Sequence, residues 1–117
     1  MGHRYHRYDS VMNEPTIPKI KKAVAEGFQV SVQEIDSRTR RQPIASARHT
    51  LYYYARKLLG IKYHELGSKF KRDHSAIVYG VQSIENRLNY DIETRAIIEG
   101  LESEYPWLRG EEVEVKA

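Results

Sequence analysis

In segment after segment of this chain the apolar residues return at every third or fourth position, with no sustained alternation that would make a strand. That is the period of an α-helix, about 3.6 residues per turn, rather than the two-residue period of a strand. The longest stripe, Ile44, Ala47, Leu51, Tyr54, Ala55 and Leu58, predicts a helix over Ile44 to Leu59, with Gly60 as its C-terminal stop. Ile77, Val81, Ile84 and Leu88 predict a second long helix starting near His74, with Tyr79, Gln82, Ser83 and Asn86 facing elsewhere.

Shorter segments fill in around these two. Ile20, Val24 and Phe28 mark an amphipathic helix that Thr16 or Ile17 caps, with Pro18 in its first position and Gly27 at its exit. Ser31-Val32-Gln33-Glu34 has the capping-box pattern and opens another short helix. Asp36 to Pro43 is polar, basic and aperiodic, and reads as a loop. Leu66 and Phe70 share the inner side of a brief helix over Tyr63 to Phe70, and Ile97, Ile98 and Leu101 that of a last one over Asp91 to Tyr105. The fold class is therefore all-α, with five to six helices. At 117 residues the chain has length for one modest core. The expected organisation is an N-terminal arm over 1–16, a folded domain over 17–105 and a C-terminal tail over 106–117, frayed from Glu111. Within it, Trp107 anchors the C-terminal segment. Tyr52, Tyr53 and Tyr54 cannot all share one helix face, so Tyr54 is expected in the core and Tyr52 or Tyr53 at the surface, bare or stacked on a partner.

Charge narrows the function. The formal net charge is only +3. From Arg38 to Arg72, however, ten Lys and Arg residues face a single acid, Glu65, whereas Leu101 to Ala117 is net acidic. A basic block of this kind suits an anionic partner such as nucleic acid, or else a solvated face. No cysteine is present, which excludes a disulfide framework and thiolate chemistry. No apolar run approaches a membrane span, and Met1 to Ser10 has no signal-peptide core. The expected location is the cytoplasm, associated with the nucleoid. His3, His6, His49, His64 and His74 show no compact metal-ligand spacing, so neither metal nor cofactor is expected. Paired carboxylates and nucleophile triads are missing as well, so no enzyme is expected.

Two periodic segments meet at Lys71-Arg72-Asp73, a short helix containing Gly67 and then a long one. That is a helix-turn-helix, whose second helix places its N-terminal residues at base edges in the major groove of DNA. Arg72 suits a guanine edge or a phosphate, Asp73 a cytosine amino group, and Ser75 either kind of contact. His74 offers a ring nitrogen and a flat face for a thymine methyl. Taken singly, each has an ordinary explanation: Asp73 or Ser75 as a helix cap, His74 as a surface histidine, Arg72 as a solvated charge. Their coincidence inside the basic block favours base reading.

Val24-Ala25-Glu26, Val30-Ser31-Val32, Ser37-Arg38-Thr39-Arg40, Ile44-Ala45 with Arg48, Glu65-Leu66-Gly67, Phe70 and Arg72-Asp73-His74-Ser75 follow one another in an order and spacing that resembles the C-terminal DNA-binding domain of the bacterial replication initiator DnaA. The resemblance covers Ile17 to Leu101. It implies a helical fold of the Trp repressor class and binding to a short, asymmetric, A·T-rich duplex element, in replication or transcription control. It further implies that Arg40 enters a minor groove and that Arg48 and Arg56 face the DNA backbone. Tyr63 and His64, with Lys62 just ahead of them, approach phosphates and a thymine, and Arg72, Asp73, His74 and Ser75 form the recognition signature. Three positions depart from the pattern: Lys71 stands where the family has one or two glycines, Ala76 replaces a hydroxyl residue, and Ser46-Ala47 replaces Arg-Pro. Lys71 is expected to shift the turn, while the Ala76 methyl can still meet a thymine. The sequence has no phosphate-binding Gly-x-x-x-x-Gly-Lys-Ser/Thr loop, so no nucleotide partner is expected. The expectation is a free-standing relative, of phage or mobile-element origin, with duplex DNA as its partner. The alternative is a protein-interaction module that keeps the fold and binds a replication protein.

Overall fold

A computed structural model describes residues 14–110. Among these residues there are six α-helices and a closing 3-10 turn, and no strand. The helices are α1 (Ile17–Phe28), α2 (Val32–Asp36), α3 (Ile44–Leu59), α4 (Tyr63–Phe70), α5 (His74–Tyr90) and α6 (Ile92–Glu104), and the 3-10 turn spans Pro106–Arg109. α3 is the hub, packed against α1, α2, α4 and α5, while α6 joins α1 to α5.

Local chemistry explains most boundaries. Thr16 Oγ1 accepts the Lys19 N–H and caps α1, which places Ile17 first and Pro18 second rather than first. Ser31 and Glu34 form the reciprocal capping box at 3.0 and 2.9 Å. Gly60, at φ 64°, ends α3. Gly27 does not end α1, contrary to its expected role. The helix runs on to Phe28 and closes at Gln29, itself left-handed at φ 59°, with Gln29 and Val30 N–H groups donating to Glu26 and Ala25 carbonyls. Gly27 instead lets α6 come close: a Cβ there would lie 2.4 Å from Leu101 Cδ2.

The predicted stripes form the core. Ile20, Val24, Ala47, Leu51, Tyr54, Ala55, Leu66, Ile77, Val81, Ile84 and Leu101 are all buried. Tyr52 is buried too, at 3% exposure, against Phe70 with ring centroids 5.0 Å apart. The expected surface position fails because α3 is covered on more than one side, so its buried arc is wider than a surface helix would have. Gly80 permits the tightest part of that cover, since a Cβ there would meet His49 and Tyr52 at 2.8 and 2.9 Å. The core also extends past residue 105. Leu108, in the 3-10 turn, is fully buried, whereas Trp107 is only half-buried. The folded unit therefore includes residues 106–109, which the sequence assigned to a tail. Residues 1–13 of the arm expected over 1–16, and the expected fraying from Glu111, lie outside the described residues.

Two tyrosines fasten the far end. The Tyr54 hydroxyl donates to Glu102 Oε2 at 2.7 Å, and burial together with that carboxylate pushes its pKa up. The Tyr105 hydroxyl donates to the Glu26 carboxylate, which raises its pKa to about 12.

Candidate nucleic-acid interface

α4 and α5 are joined by a tight turn over Lys71-Arg72-Asp73, and a missing side chain makes room for it. A Cβ on Gly67 would lie 2.7 Å from the Arg72 carbonyl oxygen and 3.3 Å from His74 backbone atoms. The turn closes by Lys71 N–H to Ser68 O and Arg72 N–H to Gly67 O. Lys71 takes the left-handed conformation itself, φ 57° and ψ 49°. The turn thus forms without the extra glycine, at the conformational cost of roughly 1–2 kcal/mol that a Cβ brings there.

Asp73 is the N-cap of α5, and its Oδ1 accepts the Ser75 N–H at 3.4 Å. His74 Nδ1 lies 3.8 Å from the same oxygen. Asp73, His74, Ser75 and Ala76 are all exposed, in one continuous strip at the helix start. Asp73 therefore serves as a cap while its second carboxylate oxygen remains at the surface.

The arginines divide sharply. Arg40 and Arg41 are exposed on the loop between α2 and α3, whose shape is set by Ser37 Oγ and Thr39 Oγ1 accepting the Thr39 and Arg41 N–H groups. Arg48 does the opposite of what was expected. It is 7% exposed, and its guanidinium donates to the carbonyls of Ile35 at 2.8 Å, Thr39 at 2.8 Å and Glu34 at 3.3 Å. A side chain on the face of α3 toward α2 reaches the Ile35 and Glu34 carbonyls at the end of that short helix, the latter shared with Ser37, and the Thr39 carbonyl on the loop, so the positive charge ties helix end and loop together rather than facing outward. Arg72 is half-buried and donates to Ser37 O at 2.8 Å and Asp36 O at 3.4 Å. In return, Arg38 reaches the Lys71 carbonyl at 3.5 Å. Loop and turn are laced together by these bonds. Arg56 is half-buried, donates to Ile61 O at 2.9 Å and lies 4.5 Å over the Tyr63 ring, fixing the α3–α4 turn, beside which Lys62 and His64 are exposed.

Between loop and turn lies an open cleft of about 790 Å³. Arg38, Arg40, Lys71 and Arg72 stand along it, and Asp73 is the single acid among its lining residues. Ala76 and Tyr79 form the α5 wall. Tyr79, which the sequence sets off the apolar stripe without giving it a role in the site, is 66% exposed and packs edge-on against His49, with centroids 5.6 Å apart. The usable signal was its three-residue spacing from Ala76. Burial lowers the His49 pKa, and the Arg48 and Arg87 charges lower it further. Among the described residues no group of three His, Cys, Asp or Glu side chains gathers as a metal site, and no helix is long and apolar enough to cross a membrane.

Comparison with known proteins places this geometry. The sequence profile of the family described as the bacterial dnaA protein helix-turn-helix matches residues 17–84. Similar full-length proteins are each named chromosomal replication initiator protein DnaA. The one from Oleidesulfovibrio alaskensis is 33% identical over 89 residues, covering 76% of this chain and 18% of the relative. That from Geotalea uraniireducens is 36% identical over 90 residues, covering 76% and 20%. That from Onion yellows phytoplasma is 34% identical over 87 residues, covering 74% and 17%. The matched region is thus a fifth or less of each relative's length.

Proposed function

Since the chain belongs to the family of bacterial DnaA helix-turn-helix domains, we propose that it binds duplex DNA sequence-specifically, at a short A·T-rich box, in the control of replication or transcription. The observation that carries this reading is the exposed strip Asp73 to Ala76 across a basic cleft from the exposed Arg40. Two adjacent grooves of a duplex are separated by one phosphate strand, and a basic cleft flanked by two exposed elements suits that strand.

In this reading His74 and Ser75 meet base edges in the major groove, the Ala76 methyl meets a thymine, and Asp73 accepts from a cytosine amino group with its outer oxygen. Arg40 enters the neighbouring minor groove, where narrow A·T-rich geometry concentrates negative potential. Lys62, Tyr63, His64 and Arg56 lie along the flanking phosphates, which position the domain without reading sequence. Arg72 contributes through the turn and loop it holds together. Arg48 acts on DNA only through the loop it anchors. No catalytic step and no nucleotide is assigned to this chain, and its place is with the nucleoid in the cytoplasm.

Selection of bound duplexes from a random pool, followed by salt titration of the winners, tests the proposal. Enrichment of one A·T-rich element, with affinity falling steeply as salt rises because counterions are released, is the expected result. No enrichment overturns it and favours a protein-binding role for the same face.

A further inference from the structure

The start of α3 is capped from outside the helix. Pro43 occupies the cap position and offers no side-chain acceptor. Gln42 supplies one: its Oε1 accepts the Ser46 N–H at 3.0 Å and the Ser46 hydroxyl at 2.7 Å. The Ser46 hydroxyl has one proton, given to Gln42, and its oxygen accepts from Arg87 Nη1 at 3.0 Å. Arg87 comes from the last turn of α5, where its Nε lies 3.9 Å from Asp91 Oδ2. Asp91 Oδ2 in turn accepts the Thr94 hydroxyl at 2.6 Å. A single file of polar contacts therefore runs Thr94, Asp91, Arg87, Ser46, Gln42. It starts on α6 and ends on the loop two residues from Arg40.

The donors along this file settle which way the Gln42 amide points. A backbone N–H can only donate, so the atom facing Ser46 must be the carbonyl oxygen, and the NH2 group must face the other way. Gln42 is exposed and lines both the basic cleft and the adjoining cleft beside α5. Its two N–H donors are thus presented on the surface where phosphate oxygens and the minor-groove acceptors of A·T pairs would lie.

We infer that Gln42 is a further DNA-contacting residue of this protein and that Ser46 and Arg87 are positioning residues, which fix its amide and with it the loop carrying Arg40. The inference rests on the DNA-binding reading above. The loop is consequently set from two sides. Arg48 and Arg72 hold its beginning through backbone carbonyls, and Ser46 holds its end through Gln42.

The test uses the whole chain and two readouts: order of the backbone amides of residues 38–42 in the free protein, from nitrogen relaxation, and affinity for the selected duplex. Ser46→Ala and Arg87→Ala should each lower loop order while leaving the amides of 74–77 unchanged. Each should weaken the duplex roughly three- to tenfold, the effect of one lost hydrogen bond. Combined with Gln42→Ala, Ser46→Ala should cost nothing further, because its effect passes through that amide. Arg87→Lys keeps the charge but not the fork that spans Ser46 and Asp91, and should behave as Arg87→Ala. Unchanged loop order, additive losses in the double variant, or full rescue by Arg87→Lys would each overturn the inference. If the unaltered protein binds no duplex, the DNA-binding reading falls and the proposed contact by Gln42 falls with it, while loop order still decides the positioning role of Ser46 and Arg87.

Discussion

The two sides of α3 are held by different forces. Toward the cleft, loop and turn are tied by guanidinium groups on backbone carbonyls: Arg48 on Ile35, Thr39 and Glu34, Arg72 on Ser37 and Asp36, Arg38 on Lys71. Toward α1 and α6, apolar burial dominates, with Leu101 and Leu108 closing the core and two tyrosine–glutamate bonds at its edge. Apolar contact is tolerant of small shifts, whereas a fork of donors fixes direction. A surface that must match a duplex gains from the second kind of restraint. The apolar side has only to stay folded.

That contrast can be broken experimentally. The largest effect is expected on the apolar side: Leu108→Ala should cost about 2–5 kcal/mol in denaturant unfolding, with salt dependence of DNA binding unchanged. A loss under about 1 kcal/mol would return residues 106–109 to the tail. Next comes Arg48→Ala, which removes the donors to the Ile35 and Thr39 carbonyls and should cost about 2–3 kcal/mol, while Arg40→Ala leaves stability within about 0.5 kcal/mol and weakens DNA binding. If the two behave alike, the division between anchoring and contacting arginines is wrong. Lys71→Gly relieves a left-handed Cβ and should stabilise by roughly 0.5–1 kcal/mol, since glycine's greater unfolded-state freedom offsets part of the relief. The smallest effect is pH-dependent. His49 has a folded pKa below its ordinary 6.5, so its contribution is fully present above that value and is lost as pH falls below it toward the folded pKa. Replacing His49 by Gln should flatten the acid limb of a stability–pH curve; an unchanged limb would assign the acid sensitivity to other groups.

Much of this was legible in the sequence because it is local. The bounds of α3 and α4, the Ser31–Glu34 capping box and the exposed strip at the start of α5 follow from periodicity and cap chemistry a few residues apart. What escaped depends on contacts far along the chain. Tyr52 is buried because Phe70 and α5 cover it, Gly27 is small because Leu101 approaches it, and Leu108 belongs to the core because the chain returns there after α6. Arg48 is the instructive case. Its position in a basic stretch suggested an outward charge, but the carbonyls it serves belong to a helix ending a dozen residues earlier, and no spacing rule registers such a pair. Ser46, noted only as a departure from the family pattern, acquires a role through Arg87, forty-one positions away.

The central claim is that the strip from Asp73 to Ala76 reads sequence while the basic residues around it supply sequence-independent affinity. It is tested most directly by measuring, at one salt concentration, the affinities of the unaltered protein and of His74→Ala for the selected duplex and for a scrambled duplex of the same composition. The account predicts that His74→Ala narrows the ratio between the two duplexes by about 1–3 kcal/mol while affinity for the scrambled duplex stays the same. Equal losses on both would contradict it, and would make His74 one more contact to the backbone.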